Sequence, residues 1–243
     1  MKQRFFTELA YDGTNYCGWQ RQPNAPSVQA EIEEALAKLH GGAEVPILGC
    51  GRTDTGVHAH FFVAHLALDA DTDLQQLGYK LNKILPKDIV IFRIYPVEEE
   101  MHARFSATGR TYRYFIHSKK SPFLPNSLYL PKPLDFEAMN RAAEQLLGTQ
   151  DFTSLSKLHT DVKTNICTVT KAQWIEAGDQ WYFEITADRF LRNMVRATVG
   201  TLLEVGQGKI SENAVPAILA AKDRSAAKVS VDAKGLFLWE VNY

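Results

Sequence analysis

The feature that most constrains the fold is the alternation of apolar and polar residues in short runs, clearest at 108–117 (TGRTYRYFIH). Such alternation is typical of antiparallel strands with one face in the core, whereas buried parallel strands are continuously apolar. Other segments have helical spacing instead, as at Val28, Ile32, Leu36 and Leu39. The pattern therefore predicts an α+β fold, with a mostly antiparallel sheet and helices on one face.

The predicted elements form two similar cycles along the chain. We expect strands at 4–11, 45–49, 59–68, 88–97, 108–117, 166–176, 180–187 and 235–243. We expect helices at 28–39, 73–84, 136–147, 189–204 and 212–221. Each half has a β-α-β pattern with extra strands, and no flexible linker separates the halves. We therefore expect two similar lobes, 1–104 and 105–243, that share a sheet or pack tightly.

Composition excludes several classes of protein. The chain has 27 Lys and Arg against 28 Asp and Glu and is 45% apolar, which excludes collagenous and largely disordered chains. No run of apolar residues is long enough for a membrane helix, and the N-terminus does not resemble a signal peptide. Three separated cysteines suit a reducing cytosol and offer no zinc template, so we expect a cytoplasmic protein. The net charge of −1 still permits a local nucleic-acid-binding patch.

A glycine-rich segment, 49–58 (GCGRTDTGVH), carries the first candidate for chemistry. It matches neither a Walker A loop nor a dinucleotide-binding loop. Asp54 either bonds backbone N–H groups within the loop or is a carboxylate held for nucleophilic or base chemistry. His58, His60 and His65 follow, but no further ligands occur at metal-binding spacing, so ordinary polar positions are expected for them.

A basic segment, 102–120, is the second candidate. It contains five positive charges and no acid: Arg104, Arg110, Arg113, Lys119 and Lys120. On the predicted strand, Arg110, Tyr112 and Tyr114 share one face, which suits phosphate contact combined with base stacking. The alternative is a surface strand whose tyrosines complete the core.

The predicted helix 189–204 is the third candidate. Arg189, Arg192 and Arg196 would form one basic stripe at helical spacing. We expect an anionic partner, either RNA phosphates or a carboxylate such as Asp54. Salt bridges to strand carboxylates are the alternative.

Together these segments resemble the tRNA pseudouridine synthase A family. The matches run in order along nearly the whole chain: YDGTNYCGWQ (11–20), VQ (28–29), GRTDTGVHA (51–59), LNKILP (81–86), HARFSATGRTYRY (102–114), GTQDF (148–152), FLRNMVR (190–196), VG (199–200) and GLFLWEVNY (235–243). The resemblance implies isomerisation of uridine to pseudouridine in the anticodon stem-loop, at tRNA positions 38, 39 and 40. It also implies a cofactor- and metal-independent homodimer of α+β protomers, with two RRM-like lobes around a central cleft.

The resemblance also implies roles for individual residues. Asp54 matches the catalytic aspartate, Tyr112 the active-site tyrosine and Arg196 the arginine that pairs with the aspartate. Arg52 matches an arginine that binds RNA and helps to extrude the target nucleotide. Further RNA or pocket contacts are expected from Arg104, Arg110, Arg113, Arg189, Arg192, Leu236 and Leu238.

The chain departs from the family pattern in three places. Thr55 replaces the usual Ala, Met101 replaces Phe, and Asp188-Arg189 replaces a small pair. The last change leaves open the backbone shape or an RNA contact at that point. Two other functions remain open from the residues alone: a non-catalytic RNA-binding sheet platform, and a metal-dependent hydrolase that uses Asp54 with a histidine.

Overall fold

The computed structural model describes residues 1–157 and 163–243. Its ten strands in this part of the chain are β1 (Lys2–Tyr11), β2 (Ile47–Gly49), β3 (His58–Asp69), β4 (Ile89–Pro96), β5 (Gly109–His117), β6 (Leu128–Tyr129), β7 (Gly148–Asp151), β8 (Ile166–Ala177), β9 (Gln180–Ala187) and β10 (Leu236–Asn242). The helices are α1 (Val28–Leu39), α2 (Leu74–Ile84), α3 (Phe136–Glu144), α4 (Met194–Gly206) and α5 (Val215–Ala221).

The chain divides into two compact units. Unit 1 comprises Met1–Thr108 and Leu238–Tyr243, and unit 2 comprises Gly109–Phe237. Strand β10 therefore begins in unit 2 and ends in unit 1. Among the described residues, no helix combines the length and the apolar character that a membrane span requires.

Unit 1 is built on a sheet of order β4-β1-β3-β10, with β2 paired to β3. The pairings of β1 with β3 and β4, and of β2 with β3, are antiparallel. Helix α1 begins where the Ser27 side chain accepts a hydrogen bond from the Ala30 N–H, and it buries Val28, Ile32 and Leu36. Helix α2 is capped in the same way by Asp73, whose side chain accepts a hydrogen bond from the Gln76 N–H.

Unit 2 is built on a sheet of order β5-β9-β8-β7, with the short strand β6 parallel to β5. The β5–β9, β8–β9 and β7–β8 pairings are antiparallel. Helix α3 starts at the predicted cap, Asp135. Helix α4 is buried over most of its length, because almost all of its side chains are apolar or small.

The predicted α+β class with mostly antiparallel pairing is confirmed. The predicted helix 189–204 is wrong at its start, because α4 begins at Met194. Asn193 has φ +66°, a left-handed conformation that cannot continue a helix and that asparagine tolerates better than most residues. Arg189 and Arg192 consequently precede the helix, and the basic helical stripe expected from their spacing with Arg196 does not form.

Candidate functional site

Asp54 lies in the loop between β2 and β3. The loop closes on itself through a hydrogen bond from the Val57 N–H to the Asp54 carbonyl oxygen, at 3.1 Å. The Cys50 N–H donates to the Val63 carbonyl oxygen at 2.8 Å, which joins the start of the loop to β3. Asp54 is half-buried and Arg52 is exposed, so the loop presents a carboxylate at its crest beside a solvent-facing guanidinium.

A second loop, residues 12–19, clamps the Asp54 loop through two glycines. A Cβ on Gly13 would lie 2.0 Å from the Val57 carbonyl oxygen, and a Cβ on Gly18 would lie 2.2 Å from the Thr53 carbonyl oxygen. Gly18 also has φ +89°, which disfavours any side chain. The Gly56 N–H donates to the Tyr16 carbonyl oxygen at 3.2 Å. The two loops therefore meet backbone to backbone, and this contact fixes the position of Asp54.

A cluster of aromatic side chains also packs against the contact between these two loops. The Tyr11 hydroxyl and the Thr53 Oγ1 are hydrogen-bonded at 2.9 Å in a buried position. The Tyr11 ring contacts Phe62, which in turn stacks on Trp19 with ring centroids 4.1 Å apart. Since Thr53 directly precedes Asp54, this aromatic cluster restrains the backbone of the carboxylate-bearing residue.

His58 is buried, and its ring contacts the second loop. Its Nδ1 accepts the Gly13 N–H at 3.1 Å and also lies 3.0 Å from Asp12 Oδ1. His58 Nδ1 can either carry a proton and donate to Asp12 or offer its lone pair to the Gly13 N–H, but it cannot do both. The buried Gly13 N–H requires an acceptor, so we assign the Nδ1 lone pair to it. In the described part of the chain, no cluster of three or more His, Cys, Asp or Glu side chains could hold a metal ion.

The tyrosines of β5 have different environments. Tyr114 is fully buried, and its hydroxyl donates to the Asp232 carbonyl oxygen at 2.8 Å. Burial is the main cause that raises the pKa of Tyr114 well above its ordinary value, and the nearby Asp232 raises it further. Tyr112 is only half-buried, and its ring meets the Phe190 ring edge-on with centroids 5.0 Å apart. Tyr114 therefore completes the core, whereas the Tyr112 side chain is partly exposed to solvent.

Arg113 lies on the opposite face of β5 and joins an ion-pair network. It donates through Nε to Glu184 on β9, and Lys171 binds the other carboxylate oxygen of Glu184 at 2.6 Å. Burial alone would raise the pKa of Glu184, but the hydrogen bonds from Lys171 and Arg113 bring it below its ordinary value. The charge of Arg113 is thus offset within the protein.

Arg110 and Arg189 are both hydrogen-bonded to Asp188, the residue directly after β9. Arg110 Nη1 donates to the Asp188 carbonyl oxygen at 3.0 Å. The Asp188 carboxylate accepts from the N–H groups of Arg189 at 2.7 Å and Thr168 at 2.8 Å. Asp188, which replaces a small residue of the family pattern, therefore fixes the local backbone through its own side chain.

Arg196 is half-buried in the first turn of α4. Its Nε donates to the Val231 carbonyl oxygen at 2.8 Å, and its own carbonyl oxygen accepts from the Val231 N–H. The segment before β10 therefore orients this guanidinium. Arg192, in the preceding turn, is exposed.

The expected site residues are distributed over both units. Unit 1 holds Arg52, Asp54, Arg104 and Leu238, and unit 2 holds Arg110, Tyr112, Arg113, Arg189, Arg192, Arg196 and Leu236. Leu236 and Leu238 are buried. Sequence reasoning did not identify the Phe190 contact with Tyr112 or the glycine clamp. The two glycines of YDGTNYCGWQ were the available signal for the clamp.

Comparisons with known proteins identify the family of the chain. A family model described as tRNA pseudouridine synthase matches residues 9–106 and 142–243. The chain is 54% identical to tRNA pseudouridine synthase A of Parabacteroides distasonis, with 99% of this chain and 96% of the relative covered. It is 53% identical to that of Porphyromonas gingivalis, with 99% and 97% covered. It is 42% identical to tRNA pseudouridine synthase A 1 of Bacillus cereus, with 97% and 96% covered.

Proposed function

The chain belongs to the tRNA pseudouridine synthase family, and from that membership we propose that it isomerises uridine to pseudouridine in tRNA. The observation that carries the proposal is Asp54, held half-buried at the crest of a loop that Gly13 and Gly18 clamp backbone to backbone. We further propose the anticodon stem-loop as the substrate region, at tRNA positions 38, 39 and 40.

The chemistry accounts for the use of a single carboxylate. Pseudouridine formation breaks the bond between C1′ and N1, turns the uracil and joins C1′ to C5. The C5 proton is lost and N1 gains one, so substrate and product have the same composition and the reaction needs no redox cofactor. An ionised carboxylate can add to an electrophilic carbon or remove a sugar proton, and then leave. The rigid loop holds Asp54 ready for this step, which reduces the entropy lost on reaching the transition state.

Arg196 and Tyr112 are proposed as the partners of Asp54 in the reaction. A guanidinium facing the carboxylate favours its ionised form and orients it. The Val231 carbonyl oxygen accepts a hydrogen bond from Arg196 Nε and so restrains the orientation of the guanidinium. Tyr112 can stack on the uracil once the nucleotide has left its helical stack, and its hydroxyl can assist loss of the C5 proton.

RNA binding is proposed for the arginines of both units. Arg52, Arg104 and Arg192 are exposed, and Arg110 and Arg189 are half-buried. Contact of such groups with phosphates gives binding that weakens as salt is added. Arg113 is the weakest candidate of the set, because Glu184 already holds it. We also propose that the protein is a homodimer and that it is located in the cytoplasm.

The proposal is tested by mapping pseudouridine in an unmodified tRNA transcript after incubation with the protein. Carbodiimide adducts that resist alkali mark pseudouridine, and primer extension locates them. We expect new stops that correspond to positions 38, 39 and 40 where these are uridine. A transcript in which cytidine replaces those uridines is the control. Stops elsewhere would overturn the assignment to the anticodon arm, and no stops at all would overturn the activity.

A further inference from the structure

The turn between β4 and β5, residues 101–106 (MHARFS), has a closed hydrogen-bonded backbone. The Ser106 N–H donates to the His102 carbonyl oxygen at 2.9 Å, and the His102 N–H donates to Ser106 Oγ at 2.9 Å. His102 Nδ1 accepts the N–H groups of Arg104 and Phe105 at 3.1 and 3.3 Å. Hydrogen bonds within the turn therefore help to fix its backbone.

Side chains from other segments of unit 1, including the buried His65, also hold the turn. His65 Nδ1 accepts the Ala103 N–H at 3.1 Å, and the Tyr243 hydroxyl donates to the Ala103 carbonyl oxygen at 2.6 Å. Arg4 donates to the Met101 carbonyl oxygen at 3.0 Å. Burial, with the nearby His102 and Arg4, lowers the pKa of His65 to about 4, so its ring is neutral and can accept at pH 7.

Phe105 is the side chain that this rigid turn leaves in solvent. It is 75% exposed, although it belongs to the most apolar class of residues. Its ring contacts the His102 ring, with centroids 4.4 Å apart, and the Arg104 guanidinium lies 5.4 Å from its centroid. Single exposed hydrophobic side chains are ordinary on protein surfaces. Here, however, the ring is supported on a fixed turn beside a cation.

We propose that Phe105 is a stacking platform for an unpaired nucleobase of the bound RNA, with Arg104 contributing charge toward the adjoining backbone. The combination of aromatic ring and guanidinium is the one used to bind single-stranded nucleic acid, because every base has a face that can stack. Because the turn is fixed before the RNA binds, less conformational entropy is lost when the base stacks on Phe105. This inference rests on the proposed function and adds a contact for a base other than the one that reacts.

The test compares four variants in binding to an anticodon-arm RNA, each in an Asp54→Asn background so that the RNA is not converted. We expect Phe105→Ala to raise the Kd about tenfold, in line with alanine substitutions at stacking residues. Phe105→Leu keeps apolar area without an aromatic face and is expected to show most of that loss, whereas Phe105→Trp is expected to bind at least as tightly as the parent. Phe92→Ala removes another exposed phenylalanine of unit 1, which is 55% exposed, and is expected to have no effect.

A spectroscopic readout separates stacking from a structural role. The natural chain has four tryptophans, and the fluorescence that Phe105→Trp adds should be quenched when the RNA binds. Unchanged Kd in Phe105→Ala, equal binding of Phe105→Leu and the parent, or no quenching would each overturn the inference. A change in molecular mass by light scattering in Phe105→Ala would also overturn it, in favour of an interface between copies of the chain.

Failure of the inference is distinguishable from failure of the proposed function. The chain with Asp54 intact is assayed for pseudouridine formation in parallel. If it forms pseudouridine while Phe105→Ala binds normally, only the stacking role is lost. If it forms none, the proposed function fails whatever the binding data show.

Discussion

At the scale of single residues, the position of Asp54 depends on groups that carry no chemistry themselves. Gly13 and Gly18 allow two loops to touch through their backbones, and the Tyr11 hydroxyl holds Thr53 beside the carboxylate. The sequence indicated Asp54 as a candidate from its glycine-rich setting alone. It could not show which distant glycines the loop needs, because the contact joins segments about forty residues apart in sequence.

Replacing Gly18 with Ala is expected to impair catalysis far more than folding. The added Cβ meets the Thr53 carbonyl oxygen, so the Asp54 loop must shift, and a displacement of about 1 Å costs on the order of a hundredfold in turnover. The strain at positive φ adds about 1–3 kcal/mol of destabilisation. Single-turnover rates and thermal unfolding measure the two effects.

Gly41→Ala is the matched control for that change. Gly41 also has positive φ, at +66°, but nothing lies within 4 Å of an added Cβ. It should lose stability of the same order and keep its turnover rate. Equal loss of turnover in both variants would show that the loop contact is not what matters at Gly18.

The two tyrosines of β5 are expected to give opposite results when changed to Phe. Tyr114→Phe leaves the Asp232 carbonyl oxygen without its hydroxyl partner and should cost about 1 kcal/mol of stability with little effect on turnover. Tyr112→Phe should slow isomerisation, because the ring still stacks but the hydroxyl is gone. Full activity of Tyr112→Phe would exclude a role for that hydroxyl.

At the scale of elements, the sequence predicted what local periodicity controls. The strands around 4–11, 59–68 and 108–117 and the caps at Ser27 and Asp135 follow from alternation and capping chemistry, and the structure confirms them. The start of α4 was wrong because helical spacing continues through Arg189 and Arg192, whereas Asn193 adopts a left-handed conformation. Periodicity cannot reveal a single residue whose backbone angle interrupts the element.

The ion pairs between β5, β8 and β9 are expected to make stability depend on pH in acid. The hydrogen bonds from Lys171 and Arg113 lower the pKa of Glu184 despite its burial, so its stabilising contribution is present above the unfolded-state pKa of a glutamate, about 4.3. That contribution is lost as the pH falls through the lower folded-state value.

Glu184→Gln should therefore lower the free energy of unfolding by about 2 kcal/mol at pH 7 and by progressively less toward pH 3. Denaturant unfolding across this pH range measures the difference. Glu176→Gln, on the exposed part of β8, is the control and should follow the parent. A constant gap between Glu184→Gln and the parent at all pH values would contradict the assignment.

At the scale of the whole molecule, residue patterns in the sequence predicted the class of fold, and the resemblance to the tRNA pseudouridine synthase A family predicted the function. The long-range course of the chain was less accessible. Residues 238–243 join unit 1, although more than a hundred residues of unit 2 separate them from its other part. Such non-local strand pairing leaves no local signal. The near-zero net charge likewise conceals where the arginines lie, and only the structure shows that Glu184 already offsets Arg113.

The central claim is that Asp54, in its clamped loop, carries out uridine isomerisation, and release of tritium from C5 of uridine in an unmodified tRNA transcript tests it most directly. The account predicts release by the parent and by Asp71→Asn, an exposed aspartate in the turn after β3. It predicts a fall of about 10⁴-fold or more in Asp54→Asn, the order observed when a catalytic nucleophile is removed, with RNA binding retained. Release by Asp54→Asn at a rate near that of the parent would contradict the account.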